Sequence, residues 1–306
     1  MKKSVEPETA DEREPSGSRL ETRPAAGVAA FARVSFAREP GLVAVGVAGL
    51  VIALLCLIAV AVRGSFIPPE GKMLDAVTFS FGVGLFTLTV ALLLPLAGYS
   101  QAARRRWRRA YYLFPVYGLA LESIQAFRGL DPRFTEAGGP LDELAGVIFG
   151  VTAGLHTVLF LILGLRFFRA DAMHDQPTLR LGIRYGAAAV TLSFGVGILM
   201  SVVSGREVGD GGNLLLTHGL GVHGIQVVPL VALVLVWATT EQRAKMWLHA
   251  AGIGWLTACT AALVQALLGL PPLELSVLTT LILAGLAVSA AAVGYSFLSR
   301  SRRLAI

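Results

Sequence analysis

Glu122 stands in an apolar stretch with Gln125 one turn on, and His156, His218, His223 and His249 recur in later apolar stretches of the chain. An ionisable side chain in hydrocarbon costs about 2.5–3.5 kcal/mol at the centre of a span, so each of these residues needs a partner or a task. Spacing groups them. Residues three apart share one face of a helix, which pairs Glu122 with Gln125 and His223 with Gln226, while Thr152 lies one turn from His156. The set Glu122, Gln125, His156, His223 and Gln226 is the candidate ligand or proton site, with Thr152, His218 and Gln265 as secondary candidates.

These residue types admit four chemistries. A carboxyl and an imidazole that titrate near neutral pH suit a proton-linked small-molecule transporter or binding protein, which is the functional reading taken forward. His156 and His223, projecting from neighbouring helices, could instead ligate a haem or a metal ion. Glutamine, threonine and histidine also form hydrogen bonds that only fix helix packing. A Glu/His pair could act as the acid and base of an intramembrane enzyme, but the chain lacks the Glu-x-x-His of haem A synthases, the His-x-x-x-His of alkaline ceramidase-like hydrolases and the Gly-x-Ser-Gly of rhomboid proteases. The reading leans away from catalysis. The densest motif, NLLLTHGLGVHGIQVVP from Asn213 to Pro229, sets His218 and His223 five apart, a poor spacing for two ligands to one ion on a helix. His249 sits beside Trp247 at a span end, where an amphipathic ring belongs at the interface, and His174 lies in a polar loop. Cys56 and Cys259 are isolated within apolar runs, which argues against a disulfide framework or a Cys-based zinc site.

The elements that must position these groups follow from composition. Of 306 residues, 55% are hydrophobic and only 15% charged, with a mean hydropathy of +0.68, whereas a soluble domain carries about a quarter charged residues. Apolar runs of about 20 residues recur along the chain, and such runs cross a bilayer as helices because each then satisfies its own backbone hydrogen bonds. The expectation is an all-α polytopic membrane bundle of eight spans, at 41–62, 74–98, 110–127, 144–168, 185–204, 217–238, 246–268 and 275–298. The third is the weakest, being short and containing Pro115, Glu122 and Gln125. Residues 1–27 read as a disordered polar tail, 28–40 as an interfacial amphipathic helix or an extension of the first span, and 299–306 as a basic tail. The first apolar run, placed behind that polar tail, reads as an uncleaved span.

Basic residues in the connections set the orientation. One side carries Arg23, Arg33, Arg38, the RRRWRR run from Arg104 to Arg109, Arg166, Arg169, Arg180, Arg184, Arg243, Lys245, Arg300, Arg302 and Arg303. The other carries Arg63, Lys72, Arg128, Arg133 and Arg206, together with most of the loop acids. The basic side is therefore assigned to the cytoplasm, with both termini inside, and the five primary candidates fall in one layer from the midplane outward. A net charge of +6 in this arrangement reports topology and gives no nucleic-acid surface. The expected partners are the bilayer and anionic lipid head groups near Arg104–Arg109. Abundant Ala, Gly, Leu and Arg with few Lys suggest a bacterium of high genomic GC, and so a plasma membrane. No internal repeat is clear, although eight spans invite a four-plus-four division. Small residues at Ser193, Gly197, Ser201, Gly285 and Ser289 are assigned to helix packing.

Overall fold

The computed structural model describes residues 32–169, 173 and 175–304, with side chains through residue 299. The tail at 1–27 and His174 lie outside the described residues. Residues 32–38 are helical and stop at Glu39, so the expected interfacial segment is separated from the first span by a break. The helices that follow are α1 (Pro40–Arg63), α2 (Met73–Leu93, continued by a 3-10 turn to Leu96), α3 (Gln101–Tyr111), α4 (Leu113–Arg128), α5 (Pro140–Arg166), α6 (Pro177–Val202), α7 (Leu214–Ala238), α8 (Glu241–Leu267) and α9 (Val277–Leu304). Seven of them, all but α3 and α4, are long and apolar enough to cross a membrane. The basic tail expected at 299–306 is instead helical as far as Leu304.

The third expected span begins differently from the sequence reading. Pro115 has no N–H to give the carbonyl of Tyr111, and its ring crowds that carbonyl, so a proline here breaks the helix ladder. The break falls at Tyr112 and divides an amphipathic basic helix, α3, from an apolar α4 of 16 residues. At a rise of ~1.5 Å per residue α4 is about 24 Å long, short of the ~20 residues of an ordinary span. Together α3 and α4 carry the chain from one end of the bundle to the other. The stretch before α3, at Ala97 and Gly98, accepts hydrogen bonds from Arg166 at the end of α5, and the far end of α4, at Gly129, packs on Pro68 at the opposite side. Glu39, fully buried, pins α3 to the start of α1 through Arg104 at 3.1 Å and Arg108 at 2.7 Å.

The structure corrects the sequence reading on internal symmetry, because the fold is a duplication. Each half is a long helix, a two-stranded hairpin and three more helical passes. In the first half β1 (Phe66–Ile67) pairs with β2 (Gly71–Lys72), and in the second β3 (Glu207–Val208) pairs with β4 (Gly212–Asn213), in the same register. Met73 N–H donates to Ser65 O at 2.9 Å and Leu214 N–H to Arg206 O at 2.8 Å. At the other hairpin-side corner Leu130 N–H donates to Gln125 O and Leu270 N–H to Gln265 O, each beyond a glycine of positive φ, Gly129 or Gly269. The repeated unit reads Gln-Ala-x-x-Gly-Leu-x-Pro, with a tryptophan, Trp107 or Trp247, the same distance upstream.

Close backbone approach holds the helix pairs together, as the small residues implied. Gly285 faces Gly254 across α8 and α9, so that a Cβ on either would press on the other's carbonyl, and Ser289 donates to Ala251 O at 3.1 Å. Gly49 approaches Gly84 across α1 and α2 in the same manner. An ion pair crosses between the halves on the hairpin side, where Arg206 beside β3 meets Asp75 of α2 at 3.1 Å.

Candidate functional site

Glu122 lies on α4, six residues before its end, and its side chain is 1% exposed. Its partner is a residue that sequence reading had treated only as a topological charge. Arg133, from the loop between α4 and α5, donates from Nη2 to Glu122 Oε1 at 2.9 Å. The other carboxylate oxygen, Oε2, and Arg133 Nε are buried without a hydrogen-bond partner in the structure. A buried polar atom left unpaired costs about 1–3 kcal/mol, so this pair marks a place with capacity for a proton, a water or a polar ligand.

The loop that brings Arg133 inward is built for the purpose. Asp131 Oδ1 accepts from the backbone N–H groups of Arg133 and Phe134, both at 2.8 Å, in the local turn that aspartate favours. The Arg133 carbonyl presses against Gly146 of α5 at a point where a Cβ would collide with it. Glu70, at the tip of the first hairpin, ties down the rest. It accepts from Thr135 Oγ1 at 2.6 Å, Glu136 N at 2.7 Å, Ala137 N at 2.8 Å and Asp131 N at 3.2 Å. These donors, led by the Thr135 hydroxyl, lower the Glu70 carboxyl to about 2. The sign follows from linkage: a depressed acid contributes its full stabilisation above the ordinary carboxylate value near 4.5 and loses it as pH falls toward about 2. Glu70→Gln keeps the shape of the side chain but removes the charge. Faster hydrogen exchange at the Glu136 and Ala137 amides is the expected outcome, and unchanged protection there would show that the loop does not depend on Glu70.

Gln125, placed in the candidate site by sequence, is a structural tie. Its Nε2 donates to Asp142 Oδ1 at 2.9 Å and its Oε1 accepts from Arg128 at 2.6 Å, while Arg128 also pairs with Asp142. Its repeat counterpart Gln265 does the same work, accepting from Thr279 at 3.2 Å and donating to Pro271 O at 2.6 Å. In both halves a glutamine links the end of one helix to the start of the next. Thr152 donates to carbonyls of its own helix and takes no part in the site.

The histidines occupy separate surroundings. His156 meets the rings of Phe114 at 4.7 Å, Tyr111 at 4.8 Å, Phe86 at 5.6 Å and Phe194 at 6.1 Å between centroids, and its Nδ1 has no partner. Phe114 precedes Glu122 by eight residues on α4, about 12 Å along the axis, so His156 lies about two turns nearer the basic side than Glu122. The single polar layer expected from sequence is thus divided. His223 is bonded to Gln226 within its own helix face, as their spacing implied, and Gln226 Nε2 is left buried and unpaired. His218 joins α7 to α6, with Nδ1 at 3.0 Å from Ser193 O and Ser193 Oγ donating back to His218 O at 2.7 Å. Among the described residues no hydrogen bond links Glu122, His156 and His223, and no cluster of three His, Cys, Asp or Glu side chains could hold a metal ion.

The duplication supplies an internal comparison. Counting from the shared Gln-Ala corner, Glu122 corresponds to Ala262, Arg133 to Leu273 and Phe114 to Gly254. From the shared hairpin Phe79 corresponds to Leu220, and from the equivalent helix starts Phe149 corresponds to Leu286. The corners that hold the fold are common to both halves, whereas the carboxylate, its cation and the rings around them belong to the first half alone. No protein-family model, curated protein or solved structure matches the chain, and the site stands on its own geometry.

Proposed function

We propose that this membrane protein is a proton-linked small-molecule transporter or binding protein in which Glu122 carries the exchangeable charge. The observation that supports this is the buried Glu122 with one oxygen on Arg133 and the other unpaired, beside a cation delivered by a loop. A carboxylate whose countercharge is on a separately tethered segment can trade that countercharge for a proton or a solute. The second half carries Ala262 and Leu273 at the corresponding positions, so the repeated architecture is built there without such a pair. The bis-histidine alternative draws no support from rings held in different surroundings.

On this reading α4 is an eighth crossing, the basic side faces the cytoplasm of a bacterial plasma membrane, and the hairpins and the Arg133 loop face outward. Arg105, Arg106 and Arg109 then lie exposed on α3 at the inner surface, suited to anionic head groups, while Arg104 and Arg108 are engaged by Glu39. The reading is tested by infrared difference spectroscopy of the purified protein across a pH series. A carboxylic C=O band that appears and disappears with pH in the wild type and is missing from Glu122→Gln is the expected result. If the titrating bands of the two proteins are identical, Glu122 is no proton site.

A further inference from the structure

The cation beside Glu122 comes from a loop and rests on aromatic rings. Phe79, Phe114 and Phe149 pack together with centroids 5.5–6.2 Å apart. They close around Gly118, one turn from Glu122 on α4, where an added Cβ would touch all three. The Arg133 guanidinium lies over the Phe149 ring, 5.9 Å from its centroid, while its Nη2 holds Glu122. A carboxylate next to an aromatic face is the combination that recognises guanidinium and ammonium groups. Helix packing does not require it, since every one of these positions is occupied by a small or aliphatic residue in the second half. Glu122 also keeps an oxygen free to receive a second donor.

The geometry points to an organic-cation site at Glu122 and Phe149, filled in this structure by Arg133 as a built-in stand-in for the ligand. The loop that carries Arg133 is fastened at its outer end to Glu70, so loosening that tether eases the departure of the guanidinium. A solute bearing a guanidinium or a substituted ammonium takes the vacated place, with its positive group on Phe149 and against the carboxylate. This inference rests on the reading of Glu122 as a charge-exchanging centre and names the class of solute it exchanges with.

The test uses the full-length protein in lipid nanodiscs. Arg133→Ala removes the stand-in, and guanidinium or tetramethylammonium chloride at millimolar concentration is expected to raise its melting temperature, whereas urea, the uncharged counterpart of guanidinium, is not. The wild type should bind the same cations about tenfold more weakly, because Arg133 must first vacate the site. Adding Glu122→Gln to Arg133→Ala should abolish the response. A folded Arg133→Ala protein that ignores both cations, or responds equally after Glu122→Gln, overturns the proposal. Where Arg133→Ala does not fold, Glu70→Gln releases the loop instead. Calorimetry should then show tighter tetramethylammonium binding than in the wild type, and unchanged binding overturns the proposal equally. The infrared titration separates this inference from the reading beneath it. A titrating Glu122 without cation binding removes the solute class and leaves the proton site, and cation binding without a titrating Glu122 does the reverse.

Discussion

Arg133→Leu alone is expected to destabilise the protein by about 3–5 kcal/mol, and Arg133→Leu combined with Glu122→Ala to restore stability to near the wild-type level. The single change strands a carboxylate that is 1% exposed and has no other cation bonded to it. Removing one member of a buried ion pair leaves an uncompensated charge, whereas replacing both members by apolar residues is often neutral or stabilising. The second half of the chain already carries Ala262 and Leu273 at the corresponding positions. Detergent-induced unfolding followed by circular dichroism would measure the three proteins. A double variant as unstable as the single one would mean that the pair supports the fold, and the case for a functional pair would fall with it.

The second large effect concerns two glycines that look equivalent. Gly129 and Gly269 both end a helix with positive φ, +77° and +72°, and an L side chain in that region costs roughly 1–2 kcal/mol. At Gly129 a Cβ would also collide with the Pro68 carbonyl oxygen, which belongs to backbone and cannot swing aside. At Gly269 the nearest atom is Asp210 N at 3.5 Å, an ordinary contact. Gly129→Ala should therefore cost about 2–5 kcal/mol, the conformational term plus overpacking, and Gly269→Ala only the first part. Melting temperatures decide the matter: equal losses would show that the first hairpin yields to the intruding methyl.

Much of the fold is written in the hydropathy of the chain, because a backbone in lipid has few ways to satisfy its hydrogen bonds. The seven long helices overlie the expected spans; six of them start earlier than expected, by as much as eight residues at Pro177, while several end one or two residues short. Hydropathy places the start of the third span too early because Pro115 interrupts a ladder that hydropathy averages over. The duplication is masked in the sequence for a related reason. Apolar residues interchange freely on lipid-facing surfaces, so the repeat survives only where backbone meets backbone, at the hairpin glycines and the Gln-Ala-x-x-Gly-Leu corners. Those two corner motifs, each with a tryptophan upstream, were the available signal.

Glu122 was identifiable from the cost of a carboxyl in an apolar helix. Arg133 was not, since a loop arginine has the same sequence signature whether it faces water or turns inward. The turn at Asp131 is local, but the room above Gly146 and the tether at Glu70 also decide that, and both of these are tertiary. The histidines stand out by the same cost argument, yet three of them have partners close by, His223 in Gln226, His218 in Ser193 and His249 in Tyr185. Gln125 resembles a site residue by composition and works as a corner tie by geometry.

The ion pair between Arg206 and Asp75 gives the two halves a fastening on the hairpin side. Both side chains are about a third exposed, at 37% and 29%, so the pair contributes about 0–1 kcal/mol and weakens as salt rises. The fastening is therefore tuned by the medium. At low ionic strength the hairpin-side ends of the two halves attract each other through this pair, and at high salt that attraction fades. Sensitivity to ionic strength is thus placed between the two halves on the hairpin side, at side chains bonded to neither the carboxylate nor its cation.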